Sequence, residues 1–193
     1  MAINLKEIKT KSLSFIKTLN DKISNSSLEH FQTIVFSSSE FRDKNTLGGP
    51  VKKIKQNEYP LIYIISIPDD KARKELIRKF KCFRESNDLK TKNVDRVNLS
   101  RFNRENINSN TIYVGSSTTD FVTRIKNHLG IMGTRVYSLH LCKWDEGFNY
   151  NVNIETYEIK TTNNEKLERF AVEIIEQQIW DELRPVFGKK SGL

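Results

Sequence analysis

Residues 111–129 read TIYVGSSTTDFVTRIKNHL, and the fold turns on how this stretch is parsed. TIYVG, residues 111–115, has the β-branched and aromatic content of a short strand. The polar run SSTTD interrupts it. FVTRIKNHL then places Phe121, Ile125 and Leu129 on one helical face, with Thr118 or Thr119 as the expected N-cap. Gly130 is the expected stop. Arg124 and His128 lie four residues apart, so they project from the same side of that helix.

Upstream, YPLIYIISIP at 59–68 is the strongest strand in the chain, bounded by Pro60 and Pro68. Pro68-Asp69-Asp70 suits a helix N-terminus, and Ala72, Leu76, Ile77, Phe80 and Phe83 give that helix an apolar face. Residues 87–110, rich in Asn, Lys and Arg, read as irregular. Residues 3–19 form an amphipathic pattern with imperfect spacing, 28–36 fit helix or strand equally, and 37–58 read as a linker. Downstream, TRVYSLHLCKW at 134–144 alternates like a strand. A turn at DEGFN and a strand at VNIETYEI follow, and the two strands are expected to pair as a hairpin. Residues 164–184 form the longest expected helix, ending before Pro185. The expected fold class is α/β, a small, mainly antiparallel sheet flanked by helices. A helical extension and linker occupy 1–58, and the main domain 59–193 carries a basic helical insertion at 69–108.

The chain has 193 residues, 37% hydrophobic and 29% charged, which is enough apolar content for a core. No apolar run is long enough to span a membrane, and the N-terminus lacks the apolar stretch of a signal peptide, so a cytoplasmic location is expected. Cys82 and Cys142 lack the spacing of a zinc site or a disulfide framework. No Gly-rich phosphate loop is present, so no nucleotide cofactor is expected. The net charge is +8. Residues 71–108 hold twelve Lys/Arg and five Asp/Glu, whereas 144–184 hold four and ten. A basic segment points to a nucleic-acid partner, and an acidic one to the place where a divalent metal would be held.

Four features recur in order: Tyr63 in LIY, Tyr113 in YVG, Arg124 and His128 on one helix, and Glu176 followed by Pro185. Taken singly, each has an ordinary structural reading as a strand tyrosine, a solvated basic pair or a buried salt bridge. Together, over residues 59–193, they resemble the GIY-YIG nuclease superfamily. That resemblance implies hydrolysis of phosphodiester bonds in DNA, expected to be double-stranded. One Mg²⁺ or Mn²⁺ per site would be held by Glu176, with Arg124 on the phosphate and Tyr63 or Tyr113 positioning or activating the water. His128 would hydrogen-bond the phosphate or a catalytic tyrosine.

Glu176 also stands out without the family, because it falls in an apolar stripe with Val172, Ile175, Ile179 and Leu183, where an unpaired carboxylate is costly. Glu173, one turn earlier, is its rival. Two positions depart from the family pattern: Leu61 replaces the glycine of the first motif, and Gly188 stands where an asparagine is usual. A binding module that kept the fold and lost catalysis is therefore a second reading, and a partner-docking protein a third. Arg78, Lys79, Lys81 and Arg84 in the insertion, with Lys126, Lys189 and Lys190, are the expected contacts to the DNA backbone. A cutter without a second DNA-reading domain is expected to act as a homodimer, and the family implies a restriction or anti-phage role.

Overall fold

The computed structural model describes residues 3–42, 51–92 and 94–190. In chain order they form α1 (Leu5–Ser24), β1 (Ser26–Ser37), α2 (Ser38–Arg42), β2 (Leu61–Ser66), α3 (Asp70–Asp88), β3 (Thr111–Ser117), α4 (Phe121–Leu129), β4 (Asn151–Thr161) and α5 (Arg169–Leu183). The four strands make one sheet in the order β1-β4-β2-β3, antiparallel at every pairing. The coarse expectation of an α/β molecule with a small antiparallel sheet holds.

The unbroken apolar run of β2 follows from its place inside the sheet, with helices covering both faces. Leu61, Tyr63 and Ile65 enter one core with Phe36 and Ile154, the Phe80 side of α3, and Phe121 and Ile125 of α4. Ile62 enters a second core with Val114, Ile159, Leu19 of α1, and Ala171 and Val172 of α5. Alternate residues of one strand thus supply both cores. The register places Tyr63 opposite Gly115 and Ile65 opposite Tyr113, and the pairing shifts before Ser66 meets Thr111. Ile112 is the extra residue, and it also packs into the first core.

Several local expectations are corrected. The alternating segment 134–144 is not a strand, and its hairpin with the next strand does not form. His140 adopts a left-handed backbone (φ 51°) that turns the chain into a 3-10 turn at Leu141–Lys143. Leu139, Leu141 and Trp144 reach the core through this curl, with Trp144 Nε1–H donating to the Leu139 carbonyl, while Val136 stays exposed. β4 instead lies between β1 and β2. The helix-or-strand segment 28–36 is strand, and β1 joins the N-terminal residues to the same sheet as the rest. α4 is capped by Asp120, whose carboxylate accepts from Thr123 N at 2.9 Å, rather than by Thr118 or Thr119.

α3 runs on to Asp88, two residues into the stretch expected to be irregular. The described residues beyond it carry no strand or α-helix up to Thr111, yet they are packed into the body. Phe102 bridges Phe187, and its ring lies 5.4 Å from that of Phe80. The buried Asn103 amide donates to the carbonyls of Pro185 and Gly188, both at 3.1 Å.

Candidate active cleft

β3 is the edge strand on this side of the sheet, so the helices on the two faces both reach its rim. A small polar cleft of about 110 Å³ lies there, lined by Tyr63, Tyr113, Gly115, Ser116, Thr118, Arg124, Arg169, Glu173 and Glu176. Four of the five residues expected to carry chemistry line it directly. The fifth, His128, sits behind, fully packed.

The two tyrosines arrive on adjacent strands with rings stacked at 6.1 Å and 17°. Gly115 faces Tyr63 across the sheet, and a Cβ there would come within 2.5 Å of Tyr63 Oη. The third residue of YVG must therefore be glycine for the Tyr63 ring to lie flat over β3. Tyr63 is 1% exposed and burial holds its hydroxyl well above the usual phenol range. Burial, with the nearby Glu176 charge, pushes Tyr113 up to about 12.

His128 Nε2 lies 3.0 Å from Tyr63 Oη, and the Leu139 amide donates to His128 Nδ1 at 3.4 Å. Burial lowers this imidazole to about 3, so it is neutral. With Nδ1 accepting, the one ring proton is assigned to Nε2, which donates to Tyr63 Oη. His128 thus contacts Tyr63, one of its two expected partners. Arg124, on the same helix face, is exposed at the mouth of the cleft.

Glu176 is half-buried, and burial raises its carboxyl above the usual range against the opposing pull of Ser116 and Arg124. Ser116 Oγ donates to Glu176 Oε2 at 2.5 Å. Among the described residues no cation lies within ion-pair distance of this carboxylate, so the structural reading as a salt bridge with Arg124 fails. Glu173, by contrast, accepts from Arg169 Nε at 2.7 Å. Ser116 and Arg169 carried no signal in the sequence, and Thr118 stood out there only as a candidate helix cap. Ser116 could have been found only from its place on the strand just after YVG.

Comparison with family models, with curated proteins and with solved structures finds no match to this chain. The reading of the cleft therefore rests on its own residues and geometry.

Of the seven expected backbone-contact residues, four sit on α3 and four are ion-paired within the molecule. Arg78 is paired with Glu75, Lys79 with Glu146, Arg84 with Asp88 and Lys190 with Asp181. Lys81 lies over the Phe102 ring, Lys126 is half-buried on α4, and Lys189 is exposed. Gly188 has φ 114°, and a Cβ there would lie 3.3 Å from the Tyr113 ring. Asn103 supplies the side-chain amide that secures this segment.

Proposed function

We propose that this chain is a divalent-metal-dependent DNA endonuclease of the GIY-YIG kind. The observation that carries the reading is that Tyr63, Tyr113, Arg124 and Glu176, from four separate elements, line one small polar cleft. Phosphodiester hydrolysis needs a positioned water, neutralised phosphate charge and a stabilised leaving oxygen. The exposed guanidinium of Arg124 is suited to hold phosphate oxygens. Tyr63 and Tyr113 keep their protons at neutral pH, since burial raises both. Tyr63 Oη already accepts from His128, so its own O–H is free to orient a water or a phosphate oxygen. The phenols thus act by positioning.

The donor set at Glu176 fits a hard cation. Ser116 occupies Oε2 and leaves Oε1 for a ligand. Among the described residues no three His, Cys, Asp or Glu side chains gather into a cage. Mg²⁺ does not require one, because it keeps several waters and takes phosphate oxygens beside one or two carboxylates. Bound there, Mg²⁺ or Mn²⁺ supplies Lewis-acid stabilisation of the charge developing on the phosphate and the leaving oxygen.

The test is cleavage of supercoiled plasmid by wild type and Glu176→Ala. The expected result is metal-dependent cutting that falls on the order of 100-fold or more in the variant while DNA binding persists. Cutting retained by Glu176→Ala overturns the site. No cutting by folded wild type that still binds DNA replaces the enzyme with a non-catalytic binding module of the same fold.

A further inference from the structure

Most of the cations on α3 are neutralised within the molecule, so the basic charge of 71–108 is not spread evenly over its surface. Part of what remains lines a groove of about 170 Å³ between the C-terminal half of α3 and residues 96–101 and 137. Arg84, Lys92, Arg96 and Arg101 line it, against Asp88 as the acidic member. Arg84 and Arg96 share Asp88. Among the described residues, Lys92 and Arg101 have no acidic partner, and both are exposed. Tyr137 stands at the same groove with 67% of its surface exposed, next to the exposed Arg135, which has no acidic partner among the described residues. A solvent-facing aromatic ring among unpaired cations is the composition of a nucleic-acid contact, where phosphates meet the charges and the ring packs on sugar or base.

The groove is wired to the cleft. Residues 98–100 and 134–138 are laced together: Asn98 N donates to Thr134 O, Ser100 N to Ser138 O and Ser138 N to Asn98 O. Just beyond this lacing, the Leu139 amide holds His128. On the other side, the Arg101 carbonyl accepts from Gly188 N, and Gly188 abuts Tyr113. The segments that present Arg101 and Tyr137 are thus the ones that support the Tyr113 ring in the cleft and the His128 ring behind it. Fixing the groove fixes its distance to the reacting phosphate.

We infer that this groove is the surface that grips the backbone of duplex DNA beside the cleft, with Lys92 and Arg101 on phosphates and the Tyr137 ring against the sugar. For its choice of partner the inference rests on the nuclease reading above.

Binding of a short DNA duplex is measured by fluorescence anisotropy without catalytic metal, across a salt series. The variants are Lys92→Glu/Arg101→Glu, Tyr137→Ala, and a charge-matched control on α1, Lys9→Glu/Lys17→Glu, with thermal melts confirming that each folds. The groove double variant is expected to bind at least about tenfold more weakly at moderate salt, with the salt slope reduced by about 2. Tyr137→Ala is expected to weaken binding with an unchanged slope, because no charge is removed. The control is expected to bind within about twofold of wild type. Wild-type affinity and slope in the groove double variant overturn the inference, as does binding of RNA but not DNA. If wild type binds DNA through this groove yet cuts nothing, the groove stands and the nuclease reading falls. If wild type cuts and the double variant binds normally, the nuclease reading stands and the groove falls.

Discussion

A hydrogen atom is all that fits where Gly115 faces Tyr63, since a Cβ would lie 2.5 Å from the phenol oxygen and 2.6 Å from Cζ. The neighbouring stacked ring of Tyr113 closes the remaining side, at 2.8 Å from the same point. Gly115→Ala is therefore expected to cost about 1–3 kcal/mol and to push Tyr63 off His128. Chemical denaturation and plasmid cutting check this together. A variant with unchanged midpoint and unchanged cutting would show that the ring does not lie over β3 as described. At this scale the sequence displayed the tripeptide YVG but not the reason for its glycine. The reason is a contact with Tyr63, 52 positions earlier, which only the strand register brings opposite.

At the scale of elements, α4 carries the arginine and the histidine, and what starts it decides where they point. The Asp120 carboxylate accepts from Thr123 N and begins the helix one residue before Phe121. Asp120→Ala removes that acceptor and a favourable negative charge at the helix N-terminus. The expected loss is about 1 kcal/mol, read as a lower denaturation midpoint, and Asp120→Asn should restore most of it. No change in Asp120→Ala would mean that the helix is held by packing alone.

Strand β2 and helices α3, α4 and α5 were legible because local pattern and burial agree in them. The segment 134–144 was not. Its alternation is real, with Leu139 and Leu141 both buried, yet a left-handed residue at 140 and the indole bond of Trp144 fold it into a turn. α1 shows the reverse case: a helix forms as its pattern implies, but only Leu19 is buried within it, and Ile8, Leu13, Phe15 and Ile16 remain exposed.

The whole molecule is two helical layers on one sheet, and its pH response follows from what the first layer encloses. His128 is buried neutral, its value depressed from 6.5 to about 3. A group depressed on folding contributes its full stability above its unfolded value and loses it as pH falls towards the folded one. The folded protein should thus be insensitive to His128 above pH 6.5. Below it, this one group should cost up to about 1.4 kcal/mol per pH unit, down to about pH 3. Thermal melts of wild type and His128→Gln between pH 7 and 4 isolate the term, with wild type losing more on acidification. A difference between the two that stays constant with pH would show that the imidazole is not buried neutral.

Local pattern alone determined the strand at 59–68, the strand–loop–helix at 111–129 and the existence of a final helix, because each depends on neighbours within one turn or one strand. That helix begins only at Arg169 and is shorter than α1 and α3 rather than the longest. Apart from Glu176, the set of site residues came from the family resemblance, not from periodicity. The tertiary structure decided the rest. It set β4 between β1 and β2, drew the basic stretch 87–110 into the body through Phe102 and Asn103, gave Glu176 a serine partner in place of an arginine, and paired most of the α3 cations internally. Those outcomes depend on contacts between residues tens of positions apart. Their energies are fixed by register, burial and charge pairing in three dimensions, which no local pattern encodes.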